Sequence, residues 1–264
     1  MIIVKNLPFN NVVAAGIATL SLPLGMTFER IVLELGGGAF TKAMITLIEC
    51  KLNGKTFFKD TGTRLDLRNT YRGLAANAAY LTLDFSEAFA RDEVDQRLGS
   101  IGTLAGVSSF TIEVTIAGAT TPTLASYSWI SSPKPLGVIC KSLSYSQTYA
   151  AAGKFNFPLP FGSQGGSIIK RINLFHAQLS ALEIKKNGLL IWDNITPAVN
   201  NFIQTEYKNV PQAGLYVYDP IMDHNVRTGA LVTADAQSFE MNPTLAAADT
   251  LNVYVEYLDT LGNL

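Results

Sequence analysis

Apolar and polar residues alternate along most of this chain, and helical spacing is confined to a few short stretches. Ala18, Leu20, Leu22 and Leu24 alternate with Thr19, Ser21 and Pro23, the period-two pattern of a half-buried strand. Phe155, Phe157, Leu159 and Phe161 keep the same phase in the second half. Pro23 and Pro160 lack the amide hydrogen for a ladder bond, so each belongs at a strand end or edge. Residues 28–35 read as the next strand, closed by a turn at Gly36, Gly37 and Gly38. Residues 44–52 and 55–58 then form a hairpin through Asn53-Gly54, the pair that tolerates positive φ, and Asn187-Gly188 does the same later. A short helix follows each hairpin. Thr196-Pro197 is a cap followed by proline at the first helical position, with Val199, Phe202, Ile203 and Tyr207 on one face. Its counterpart is expected to begin at Thr63, with Asp66 three residues on and Leu67, Tyr71 and Leu74 in line. Residues 80–85 and 215–218 are strands. Residues 86–98 predict a second helix, with Ala90, Val94 and Leu98 aligned, a Glu93/Arg97 pair and a stop at Gly99. In the second half, residues 225–233 read better as a strand.

These elements occur twice. Residues 14–25 and 151–162 share six of twelve positions (Ala14/Ala151, Ala15/Ala152, Gly16/Gly153, Leu22/Leu159, Pro23/Pro160, Gly25/Gly162), where unrelated stretches would share about one. Glu49, Lys51, Asn53 and Gly54 match Glu183, Lys185, Asn187 and Gly188. Tyr71-Arg72 faces Tyr207-Lys208, and the strand ending at Asp84 faces the one ending at Asp219. The alternating Phe110, Ile112, Val114 and Ile116 are set against Leu251, Val253, Val255 and Tyr257. A period near half the chain indicates two copies of one domain. The expected division is residues 1–117, a Thr-, Ser- and Pro-rich linker at 118–137 with a candidate strand over 124–130, and residues 138–264. Short strands, Gly and Pro turns and a closing strand in each unit predict an all-β chain. Its architecture is two tandem eight-stranded jelly rolls, a double jelly roll, with short flanking helices.

Composition agrees with two cores: 264 residues with 48% hydrophobic side chains can fill two domains of about 120 residues. Twenty basic and 21 acidic residues give a net charge of −1 without long runs of one sign, which argues against direct nucleic-acid binding. Charged residues make up only 16%, below the roughly 25% of a typical soluble domain. Either some surface lies against other subunits, or a β-rich protein covers itself with Ser, Thr and Asn. The first residues lack the pattern of a signal peptide, and no stretch approaches the roughly 18 apolar residues of a membrane span. A soluble protein made inside the cell is expected.

Catalytic chemistry finds little support. Asp60-Thr61-Gly62-Thr63 matches the short signature of aspartic proteases, but the equivalent place in the second half holds Asn194-Ile195-Thr196, so the partner carboxylate is missing. A turn and a helix cap explain Asp60. His176 and His224 have no companion at ligand spacing, and Cys50 and Cys140 sit at non-equivalent places and read as free buried thiols. Asp219, Asp223 and Asn225 are the one set that could gather around a hard cation such as calcium, with a polar loop as the plain alternative. No catalytic or cofactor-binding residue is assigned.

Asn11-Val12-Val13-Ala14-Ala15-Gly16 followed by Leu22-Pro23-Leu24-Gly25-Met26-Thr27-Phe28-Glu29 resembles the opening of the major capsid proteins of tailless icosahedral phages with an internal membrane, the corticovirus type. Val94-Asp95-Gln96-Arg97-Leu98 with Gly102-Thr103, the strand over 112–116 and the ending Val253-Tyr254-Val255-Glu256-Tyr257 are similar to later parts of that family. The resemblance implies a virion protein made in the host cytoplasm. It further implies pseudo-hexagonal homotrimeric capsomers of a shell over an internal lipid membrane. Neighbouring capsomers, vertex (penton) proteins and the viral membrane or its proteins are its implied partners. The duplication and sparse charge fit a homotrimer independently. A receptor- or carbohydrate-binding double jelly roll, or a glycan amidase on the same fold, are the alternatives.

Overall fold

The computed structural model describes residues 2–263. The first half runs β1 (Ile2–Lys5), β2 (Gly16–Ser21), β3 (Thr27–Ala39), β4 (Ile45–Leu52), β5 (Lys55–Asp60), α1 (Gly62–Tyr71), β6 (Tyr80–Asp84), α2 (Glu93–Gln96), β7 (Ile101–Gly102), β8 (Phe110–Ile116) and β9 (Thr120–Ser131). The second half repeats that order: β10 (Ile139–Tyr149), β11 (Gly153–Lys154), β12 (Ile168–Phe175), β13 (Leu179–Lys186), β14 (Leu189–Ile195), α3 (Pro197–Glu206), β15 (Leu215–Tyr218), α4 (Val226–Gly229), β16 (Leu231–Val232), β17 (Phe239–Leu245) and β18 (Asp249–Asp259).

Strand order repeats as well. Sheets β1-β9-β3-β6 and β2-β8-β4-β5 of the first half correspond to β10-β18-β12-β15 and β11-β17-β13-β14 of the second. Each half is thus a jelly roll of eight strands, with β7 and β16 as two-residue additions on β3 and β12. Even the irregularities agree: β3 slips register against β9 between Phe28 and Arg30, and β12 slips against β18 between Ile169 and Arg171. Each roll has its own core. Phe110, Ile112, Val114 and Ile116 alternate inward in the first, and Val253, Val255 and Tyr257 do so in the second. Positive φ at Asn53 (52°), Gly54 (79°), Asn187 (52°) and Gly188 (76°) makes both hairpin turns tight, as the Asn-Gly pairs require.

Several expectations are corrected. Phe110–Ile116 is equivalent to Phe239–Leu245, since β8 and β17 pair with matching partners; Asp249–Asp259 takes the place of β9. The segment read as linker is therefore mostly strand, and only residues 132–138 connect the rolls. β3 continues through Gly36, Gly37 and Gly38 instead of turning there. At Gly37 (φ 96°) a Cβ would lie 2.1 Å from the Thr121 carbonyl oxygen, so only glycine lets β9 come this close. Thr61, not Thr63, caps α1, accepting from the Arg64 amide. The helix expected over 86–98 shrinks to the single turn of α2, although the Glu93–Arg97 pair forms at 3.0 Å. Residues 225–233 hold the turn of α4 before the short β16, and of residues 153–161 only β11 and a bridge from Phe157 to Met241 are strand-like.

The rolls meet where β5 lies parallel to β10, with Phe58 opposite Ser142. One sheet of the first roll thereby continues into one sheet of the second, nine strands in all with β16.

Candidate functional site: the junction between the rolls

Past that seam, α1 of the first roll lies on the outer face of the second. Leu67 and Tyr71 pack against Phe175, Leu215, Val217 and Tyr254. Arg64 donates to the Tyr254 hydroxyl at 2.9 Å. This contact explains why strand β18 is buried on both faces, one side against its own core and the other under α1.

Beside it lies a buried ionic network. The first roll contributes Asp60, Arg68, Arg72, Asp84 and Glu87, and the second Lys170, Arg171, Asp219 and Glu256, all buried. Arg68 pairs with Asp60 and, across the junction, with Glu256 at 2.8 Å. Glu87 is the hub. Its Oε1 accepts from Arg72 at 2.9 Å and Arg171 at 3.0 Å, and its Oε2 accepts from Arg171 at 2.9 Å and is ion-paired with Lys170 Nζ at 2.8 Å. Arg171 also donates to Asp219 at 2.8 Å and to Glu256 at 3.3 Å.

Four buried cations face five buried carboxylates here, and Asp84 is also paired with the partly exposed Arg30 at 3.5 Å. Burial would raise Glu87 and Glu256, but the surrounding guanidinium and ammonium groups outweigh it and hold both below the usual carboxylate range. Asp60 goes the other way: burial outweighs Arg68 and pushes its carboxyl up to about 6. Burial likewise raises Asp219 against the pull of Arg171. A cavity of about 10 Å³ lies among Phe58, Arg68, Arg72, Ser142 and Glu256. That is room for about one water and for no larger ligand. Three residues lining it carry a polar atom without a protein partner: Arg68 Nε, Arg72 Nε and Ser142 Oγ.

A second contact crosses the junction at the helix turns. Asp95 of α2, 1% exposed, accepts from the amides of Val226 at 2.9 Å and Arg227 at 3.2 Å and from the Arg227 Nε at 2.6 Å. Asn225, at the cap position of α4, makes no side-chain cap bond, so the first roll caps a helix of the second.

The structure redistributes the residues singled out in the sequence. Asp219 and Asp223 are engaged in separate protein contacts. The Asp219 carboxylate accepts from Arg171, Tyr71 and the Ile221 amide, while Asp223 accepts from the Asn225 amide. Among the described residues no group of three or more His, Cys, Asp or Glu side chains is arranged to hold a metal. Asp60 is a member of the ionic network as well as part of a turn. His176 accepts from the Leu179 amide, and Cys50 and Cys140 are free and buried. Arg68, Arg72, Glu87, Lys170, Arg171 and Glu256 were not anticipated. Their signal was present: Lys170-Arg171 and Glu256 interrupt otherwise apolar strands, where a charge is either misplaced or paired.

Comparison with known proteins matches the two rolls separately. Residues 3–131 match the viral coat protein P2 N-terminal domain, and residues 139–261 the viral coat protein P2 C-terminal domain. Major capsid protein P2 of Pseudoalteromonas phage PM2 is 24% identical over 261 residues, 94% of this chain and 93% of that protein. The crystal structure of P2 from bacteriophage PM2 superposes with a TM-score of 0.90 at 21% identity, covering 98% of this chain and 97% of that one. The STIV MCP shares the fold with a TM-score of 0.68 at 15% identity, over 97% and 95% of the two chains. The PBCV-1 virus capsid shares it with a TM-score of 0.64 at 11% identity, over 99% and 94%. Matched in both its halves and with the same duplicated architecture, this chain belongs to the viral coat protein P2 family.

Proposed function

We propose that this chain is a major capsid protein, a structural rather than catalytic subunit that associates with its own copies into a viral shell. One observation carries the reading. β5 of the first roll is joined by β10 of the second, whereas their counterparts β14 and β1 each end a sheet with a single strand neighbour. A chain that contains one joined pair of edges and presents the two remaining members at its ends can repeat head to tail, and such a contact closes into a ring when the rotation permits. Three copies supply six rolls. The ring is then a homotrimer of pseudo-hexagonal outline that tiles an icosahedral shell. The free edges suit covering: Leu189 on β14 is 69% exposed, and Ile2 and Ile3 on β1 are 56% and 54% exposed.

The finer reading follows from the family resemblance: a shell over an internal lipid membrane, contacting neighbouring capsomers and vertex proteins. Electron microscopy of the purified protein tests the core of it. Six-cornered trimeric tiles are expected; a folded monomer that never associates under any salt or divalent-ion condition would defeat the reading.

A further inference from the structure

α1 and α3 begin alike, Thr61 accepting from the Arg64 amide and Thr196 from the Val199 amide. Aligned on these caps, Val199 corresponds to Arg64, Phe202 to Leu67 and Ile203 to Arg68. The strands align through their pairing. Ile31 lies opposite Leu83 and Ser128, as Ile172 lies opposite Tyr218 and Val255. Tyr80 therefore corresponds to Leu215, Tyr127 to Tyr254 and Trp129 to Glu256. Within the chain, the residues of α1 at these positions cover their partners on the second roll. Among the described residues no helix gives such cover to Phe202 of α3 or to Tyr80 on the outer face of the first roll, 65% and 40% exposed.

Both surfaces are turned inside out. α3 buries Asn200 and Gln204, which donate to the Val217 carbonyl at 3.0 and 2.6 Å, and leaves Phe202 65% and Val199 47% exposed. β9 buries Ser126 and Ser128 and turns Tyr127 and Trp129 outward, beside Tyr80 at 40% exposed. α3 presents aromatic and aliphatic groups while hiding amides, and β9 turns aromatic rings outward while hiding serines. The Tyr80 and Tyr127 hydroxyls donate to Glu34 at 3.2 and 2.9 Å. A covering surface stabilises such exposed rings.

We propose that α3 of one copy seats on the outer face of β3, β6 and β9 of the next copy, repeating between chains the contact that α1 makes within one. Phe202 packs against Tyr80 and Tyr127, and Ile203 against Trp129. The two contacts differ in chemistry: Arg68 on Glu256 within the chain becomes Ile203 on Trp129 between chains. The ionic junction is fixed in every monomer, and the one built on Phe202, Ile203 and the outward rings forms on assembly. This assignment rests on the self-associating reading above.

A Phe202→Cys/Tyr80→Cys variant treated with a short thiol–thiol cross-linker tests it, because native Cys50 and Cys140 are buried. Covalent trimers are expected from the double variant and none from Phe202→Cys alone. Phe202→Glu is expected to leave the chain folded while weakening association roughly thirtyfold or more. If the unaltered protein is trimeric but the pair does not cross-link and Phe202→Glu associates normally, the interface lies elsewhere and this proposal is overturned. If the unaltered protein stays monomeric at micromolar concentration, the underlying reading is overturned with it.

Discussion

Glu87→Gln is the sharpest perturbation of the junction. The substitution keeps the shape of the side chain but removes its charge and turns one acceptor into a donor. Glu87 accepts three hydrogen bonds from Arg72 and Arg171 and forms an ion pair with Lys170; without its carboxylate, the described contacts of Lys170 Nζ reduce to the Cys140 sulfur at 3.7 Å. Removing one partner from a buried ion pair costs about 3–5 kcal/mol, because a desolvated charge is left uncompensated. At roughly 2–4 °C per kcal/mol for a chain of this size, Tm is expected to fall by about 10 °C. Thermal and urea unfolding at pH 7 measure it directly. Adding Lys170→Met, which removes the stranded ammonium, is expected to recover part of the loss. Glu93→Gln is the control: it breaks the Arg97 pair at 3.0 Å, but Glu93 is 75% exposed, so its effect stays within about 0.5 kcal/mol. A Glu87→Gln protein within about 1 kcal/mol of the unaltered one would refute the view that this network joins the rolls.

The junction also predicts a pH dependence. Asp60 in the folded chain has its pKa raised from 3.8 to about 6, so the folded state takes up this proton first and stability rises as pH falls from 7, by about 2 kcal/mol at pH 4. Glu87 and Glu256 are lowered, so their contribution is present above their unfolded values and is lost only at more acid pH, below about 4. Urea midpoints across pH 3–8 are expected to pass through a maximum, and Asp60→Asn is expected to flatten its neutral limb while leaving assembly intact. Asp95→Ala removes the cap that the first roll supplies to α4 and is expected to cost about 1–3 kcal/mol by urea unfolding, with faster amide exchange at Val226 and Arg227. Gly37→Ala is expected to lower Tm, because its Cβ would collide with the Thr121 carbonyl; an unchanged melting curve would contradict the close approach of β3 and β9.

Most strands were legible because each has one face on its own core, which writes a period of two into the sequence. The Asn-Gly turns then fixed the hairpins, and the repeat supplied the architecture. β9 is legible only as a candidate strand over 124–130 within the linker, not as part of the first roll, because its inward face carries Ser126 and Ser128, hydrogen-bonded to the Asn6 side chain at 2.9 Å, in place of aliphatic residues. The closing strands were matched to the wrong partners because β8 and β18 share the same alternation, and only pairing tells them apart. α3 was read correctly as amphipathic, but its apolar side faces outward, since an amphipathic pattern does not say whether the covering surface belongs to the same chain. The ionic network spans residues from 60 to 256, a distance over which no local pattern links a charge to its partner.

Electron cryomicroscopy of an assembled particle containing this chain, at a resolution that shows side chains, tests the central claim most directly. The account predicts six jelly rolls per tile from three chains, with β14 of each chain beside β1 of the next and Phe202 seated between Tyr80 and Tyr127. A particle in which β1, β14 and the outer face of α3 all face solvent would contradict it.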